Sequence, residues 1–419
     1  MHAVTTPNQS LTQQITDRRD RYMTINYPRY GIAMVSGQGC QLVDAAGKEY
    51  LDLFAGFGAS ILGHCHPDLV KAVTEQANKL WHVGNLFHSE PQTILAEQIA
   101  RHGFNGRSFL CHSGADANEA ALKLARLYGQ ANPGPNRPRY KVISTLNSFH
   151  GRSFGTMLAT AQSKVSKGFD PFLPGFASVP YDDLSATENA VDDQTVAVIV
   201  EPIQGESGVN IPSDDYLPGL RTLCDQRDLL LIVDEVWTGC GRTGRLFAHQ
   251  HWGIEPDIMT LAKGVGGGLP VGVMCARPAV AEYFNCKTQG GVKHATTLGG
   301  NCVSMAASIA VFDVIERDHL LAHATELGRY VVERLQRFAV NRPIIKQVRG
   351  KGLLVGIELD PEARDSSFKD AAEIVNRCMQ RGVLLNATQN NVVRLAPPLI
   401  VTRDQIDQGL EVFEQALAG

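Results

Sequence analysis

Residues 229–239 read Leu229-Leu230-Leu231-Ile232-Val233-Asp234-Glu235-Val236-Trp237-Thr238-Gly239. A branched apolar run with no polar face, ending in two acids, predicts a strand buried on both sides, as in a parallel sheet covered by helices. Similar short runs occupy residues 108–111, 140–144, 196–200, 258–261 and 271–275. Helical spacing separates several of them, for example over 115–128 and 216–227. The expected fold class is α/β, with a mostly parallel central sheet and helices on both faces. Further out, residues 67–80 have helical spacing, and 38–53 alternate around Ala45-Ala46-Gly47, which predicts a hairpin. Beyond about residue 310, two long helical stretches precede strands near 352–358 and 392–395. Three segments follow: 1–65 as an N-terminal contribution to a small domain, 66–310 as the large domain, and 311–419 as the C-terminal small domain.

The chain has 419 residues, 39 Lys+Arg against 43 Asp+Glu, and a formal charge of -4. That balance supplies no basic surface for nucleic acid or an anionic membrane. No stretch approaches the roughly 18 apolar residues of a membrane span. Residues 1–23 are polar and hold no secretory apolar core. Nine cysteines without a CxxC pair suit reduced thiols, so the expected location is cytoplasmic. The segment 132–138 (NPGPNRP) reads as a surface loop.

In open α/β sheets, ligands sit beyond the carboxyl ends of the strands, and three such places carry unusual residues. At 110–119 a strand ends, Ser113-Gly114 turns the chain and a helix begins at Ala115; free N–H groups there suit a phosphate, or Ser113 simply caps the helix with Asp116. Asp234 could keep a heterocyclic nitrogen protonated, bind a metal, or cap the next turn. Lys263, within Leu261-Ala262-Lys263-Gly264, ends an apolar strand before glycines; desolvation would expose its amine as a nucleophile, although a buried salt bridge is the alternative. The glycines lack dinucleotide-loop spacing. His64-Cys65-His66 alternates across a strand and is not expected to hold a metal. Jointly, a phosphate cradle, an acid for a ring nitrogen and an amine for a Schiff base meet the needs of pyridoxal phosphate.

The motifs 113–119 (SGADANE), 148–152 (SFHGR), 201–206 (EPIQGE), 234–244 (DEVWTGCGRTG), 254–268 (IEPDIMTLAKGVGGG) and 294–301 (HATTLGGN), in this order, resemble those of the class III pyridoxal-phosphate-dependent aminotransferases, most closely the acetylornithine (acylornithine) group. The resemblance runs from about Gly31 to 392–402 (VVRLAPPLIVT). It implies the fold-type I architecture, with the smaller α/β domain built from the two chain ends, and a homodimer with a shared active site. It also implies that Lys263 holds the cofactor covalently and Asp234 pairs with its ring nitrogen. Ser113, Gly114 and Ala115 would bind the phosphate with Thr297 from a neighbouring subunit, Phe149 and Val236 would flank the ring, and Trp237 would stand beside it. For substrate, Arg152 resembles the binder of the acylornithine α-carboxylate and Arg394 the arginine for a 2-oxo or α-amino acid carboxylate. Glu206 resembles a gate on Arg394, and Thr296 is carried over as a substrate contact.

The implied activity moves the terminal amino group of N-acetylornithine, or a similar acylated diamino acid, to 2-oxoglutarate, giving a semialdehyde and glutamate in arginine biosynthesis. Alternatives are an ornithine, 4-aminobutyrate or diamine transaminase, a dialkylglycine-type decarboxylase, and, against the retention of Lys263, a non-catalytic binding protein. The chain departs from the family pattern at several places. Trp237 replaces a Gln, Asp116 a Glu, Ser207 and Ala295 each a Gly, and Phe57 stands where ornithine aminotransferases carry a tyrosine.

Overall fold

The computed structural model describes residues 10–135 and 138–418. Residues 1–9 of the polar leader, and Asn136 and Arg137 of the 132–138 loop, lie outside them. Three sheets organise the described residues. The N-terminal one contains β1 (Met34–Gln38), β2 (Gln41–Asp44) and β3 (Glu49–Asp52), with β2 and β3 forming the expected hairpin. The central sheet contains β4 (Arg107–Cys111), β5 (Lys141–Thr145), β6 (Phe176–Val179), β7 (Thr195–Val200), β8 (Leu230–Asp234), β9 (Ile258–Leu261) and β10 (Gly272–Ala276), in the order β4-β10-β9-β8-β7-β5-β6. All neighbours are parallel except that β10 runs antiparallel to both β4 and β9. In the C-terminal region lie β11 (Ile345–Lys351), β12 (Leu354–Leu359), β13 (Val383–Leu384), β14 (Asn386–Thr388) and β15 (Val392–Leu395). β13 joins the N-terminal sheet, parallel to β3, while the others form a four-stranded sheet.

Every residue of β7, β8, β9 and β10 is buried, as their unbroken apolar runs require, and helices cover them on both sides. Helix Gly114–Ala131 packs Ala120, Leu124 and Ala125 over Val142, Ile199 and Ile232, and helix Tyr216–Gln226 packs Leu217 and Leu220 over Val198 and Leu231. Two differences from the sequence expectation have local causes. The helix beginning at Pro67 stops at Ala77 rather than 80, where Asn78 returns its side-chain amide to the Thr74 carbonyl. The sheet also gains β6, an edge strand of four residues whose partly exposed FASV has too few apolar positions to stand out. Among the described residues no helix is long and apolar enough to cross a membrane.

Candidate active site

β8 ends in Asp234, which is 2% exposed. Its Oδ1 accepts the Val236 N–H at 2.9 Å. Its Oδ2 accepts from Asn118 Nδ2 at 2.7 Å and lies 2.7 Å from His150 Nδ1. Asn118, on the helix Gly114–Ala131, is itself fixed: Thr260 Oγ1 of β9 donates to Asn118 Oδ1 at 2.7 Å, and Asn118 Nδ2 also reaches the His150 carbonyl at 2.8 Å. A buried carboxylate so restrained keeps one orientation toward whatever lies before it. The motifs assign no role to His150, Asn118 and Thr260, although all three lie inside them. Their pairing joins residues far apart in the chain and leaves no local trace.

Lys263 follows β9 at φ +45°, and its Nζ lies 4.0 Å from the centre of the Trp237 ring. Burial lowers its pKa to about 8, against the opposing charges of Glu206, Asp234 and Glu201. Glu201, missed as a contributor, accepts the Phe149 N–H at 2.8 Å; burial pushes its carboxyl well above the usual range, and Asp234 adds to the effect. The helix start is built for close approach. Ser113 caps it, accepting the Asp116 N–H at 3.1 Å, while a Cβ on Gly114 would sit 2.9 Å from a Val236 methyl. The first N–H groups of such a helix have no intrahelical partner. The capping and phosphate readings of Ser113-Gly114 are therefore compatible.

These elements face a cavity of about 850 Å³ lined by Ser113, Gly114, Ala115, Phe149, Val236 and Lys263, with Arg152, Glu206 and Phe57 also on its wall. His150 reaches the same cavity, and its buried Nε2 has no partner among the described residues. One amine, two apolar walls, a helix start and a buried acid around one space fit the needs of pyridoxal phosphate.

Arg394, on β15, is 1% exposed. Its Nη1 donates to Glu206 Oε2 at 3.0 Å and to the Gly205 carbonyl at 2.9 Å, and its Nε donates to Asn386 Oδ1 at 3.0 Å. Burial lowers its pKa, opposed by Glu206. Arg152 lies with its guanidinium 5.8 Å from the centre of the Phe149 ring. Asp234, Trp237 and Arg394 stand behind the cavity wall rather than lining it. Thr296 and Thr297 do not line it either: Thr296 lies 3.2 Å from His112 Nδ1, and Thr297 is exposed.

A family model described as Aminotransferase class-III matches residues 22–417. The chain is 44% identical over 398 residues to an acetylornithine aminotransferase of Caldanaerobacter subterraneus subsp. tengcongensis, covering 95% of this chain and 98% of that protein. It is 42% identical over 399 residues to a succinylornithine transaminase/acetylornithine aminotransferase of Pseudomonas aeruginosa, covering 95% and 96%. Among solved structures, the ornithine aminotransferase from Toxoplasma gondii superimposes with a TM-score of 0.90 at 31% identity, covering 98% of this chain and 95% of that one. The acetylornithine aminotransferase from Elizabethkingia anophelis gives 0.83 at 29% identity, covering 98% and 99%.

Proposed function

The chain belongs to the class-III aminotransferases, and on that footing we propose that it uses pyridoxal phosphate to move the terminal amino group of N-acetylornithine, or a closely similar acylated diamino acid, to 2-oxoglutarate. The observation that carries this reading is the Glu206–Arg394 ion pair at 3.0 Å, beside the cavity that holds Lys263 and Arg152. An ω-amino substrate presents an uncharged stem near the reacting amine, whereas glutamate presents a second carboxylate there. A pair that can stay closed or open serves both. Phe57 offers no hydroxyl to a free α-amine, which supports an acylated donor over ornithine.

When bound, the cofactor supplies a carbonyl that takes the donor amine covalently and a cationic ring that draws electrons from the donor carbon. Lys263 would hold it, and the lowered pKa lets Lys263 Nζ take and return a proton near neutral pH. Asp234, restrained by Asn118, His150 and the Val236 N–H, would hold the proton on the ring nitrogen. Ser113, Gly114 and Ala115 would bind the phosphate, Phe149 and Val236 would exclude water from the ring, and Arg152 would take the donor carboxylate. Thr296 and Thr297 are assigned to substrate and to the phosphate of a neighbouring subunit. Exposed Trp81, Leu86, Phe87, Val292 and Leu298 support a homodimer through that face. The β3–β13 pairing supports grouping residues 1–65 with 311–419 in a smaller unit around the 66–310 domain. The nine cysteines, all unpaired, support the cytoplasm.

The test is to titrate purified holoenzyme with N-acetylornithine, N-succinylornithine, ornithine and 4-aminobutyrate while following conversion of the cofactor to its amino form. Conversion by the acylated amines at the lowest concentrations is expected. Conversion only by an unacylated amine overturns the substrate assignment.

A further inference from the structure

We propose that Trp237 is a positioning residue that keeps Arg394 in place for an α-carboxylate whenever Glu206 leaves it, so that the indole sets affinity for the glutamate/2-oxo acid half of the reaction and not for the ω-amino donor. The inference rests on the transaminase reading above.

Among the described residues Arg394 has one anionic partner, Glu206; its other hydrogen bonds go to the neutral oxygens of Asn386 and Gly205. Once Glu206 turns away, nothing negative in this set holds a fully buried guanidinium. What remains are ring faces: the Arg394 Cζ lies 4.7 Å from the centre of the Trp237 ring and 5.5 Å from that of Phe54. An aromatic face attracts a cation through its quadrupole, most strongly for indole and more so where water is excluded. Trp237 is 5% exposed and seated with little freedom. A Cβ on Gly58 would lie 2.8 Å from its Nε1, and one on Gly205 would lie 2.9 Å from its Cε3. Phe54 and Phe57 flank it with ring centres 6.4 Å away.

Packing alone does not account for an indole here. Its buried Nε1–H has no partner among the described residues, an arrangement that opposes folding and that a phenylalanine would avoid. The gain that offsets it is the larger ring face turned to the Arg394 guanidinium at 4.7 Å. An ω-amino donor is bound with Glu206 and Arg394 still paired, so it does not draw on this support.

Holoenzymes of the wild type, Trp237→Leu and Trp237→Phe are mixed with L-glutamate and, separately, with N-acetylornithine, and conversion of the cofactor absorbance is followed at each concentration. Trp237→Leu is expected to raise the apparent Kd for glutamate about tenfold more than that for N-acetylornithine, and Trp237→Phe to give a smaller differential of the same sign. Equal weakening toward both amines, or no change toward glutamate, overturns the proposal. If Trp237→Leu does not retain cofactor, the Phe variant decides in the same way. A wild type that responds to neither amine overturns the transaminase reading, and this proposal with it.

Discussion

Asp234 ends β8 and Lys263 follows the neighbouring strand β9, so the two functional groups leave the sheet side by side. Asp234→Ala should abolish turnover while the far-ultraviolet circular dichroism and cofactor content stay close to wild type; a variant that transaminates normally removes the ring-nitrogen role. His150→Ala deletes one of the three groups on Asp234, and a loss of about tenfold in kcat is expected from one charge-assisted hydrogen bond, checked by steady-state assay. The Lys263 shift fixes a sign. Its amine titrates near 8 in the folded chain against 10.5 when unperturbed, so between those values the unfolded chain holds a proton that the folded one lacks. Stability contributed by this group therefore rises with pH across that window and is lowest below it. The melting temperature of the cofactor-free protein, minus that of Lys263→Met, should climb from pH 8 to 10; a fall contradicts the burial of the amine.

At the scale of elements, the helix Gly114–Ala131 does more than start near the cavity. Glu119 on it accepts from Ser153 Oγ at 2.8 Å, the Gly155 N–H at 2.8 Å and the Thr156 N–H at 3.1 Å, capping the short helix Phe154–Ala159 just beyond Arg152. Glu119→Ala should loosen Arg152 and raise the KM for the amine donor several-fold with little change in the KM for 2-oxoglutarate, read from steady-state kinetics. The same helix also shows what the sequence could express and what it could not. Its apolar spacing and its Ser113 start are written in consecutive residues, and so are the buried runs of β7 to β10. The seat of Trp237 depends instead on Gly58 and Gly205, which are distant in the chain and become informative only once folded against one indole. β13 has two residues and no periodicity, so its pairing with β3 left no signal in the sequence. The motif order pointed to Lys263, Asp234 and Arg394, whereas the partners that orient them come from other strands.

For the whole molecule, the exposed face around Leu86, which is 94% exposed, needs a cover. Asn85 beside it donates to the carbonyls of Thr296 at 3.0 Å and Gly299 at 3.2 Å, so this face and the Thr297 segment belong to one surface. Sedimentation should give twice the 45.5 kDa chain mass, and Leu86→Asp combined with Leu298→Asp should shift the protein toward one copy and reduce activity with it. A wild type that sediments as a single chain removes the proposed role of Thr297.

The reversed direction of β10 has a consequence for biogenesis. Among the described residues β4 is hydrogen-bonded within its sheet to β10 alone, so this edge has no strand partner until residue 276 has been made. At roughly 5–20 residues per second, the stretch from the end of β4 at Cys111 to the end of β10 at Ala276 takes roughly 8–33 seconds to make before that edge closes. A chain truncated short of Gly272 would already contain Lys263 but could not pair β4, and with it the start of the helix at Gly114, to the rest of the sheet. Vitamin capture is therefore expected to come late in synthesis, and chains arrested before that point should be readily digested by protease.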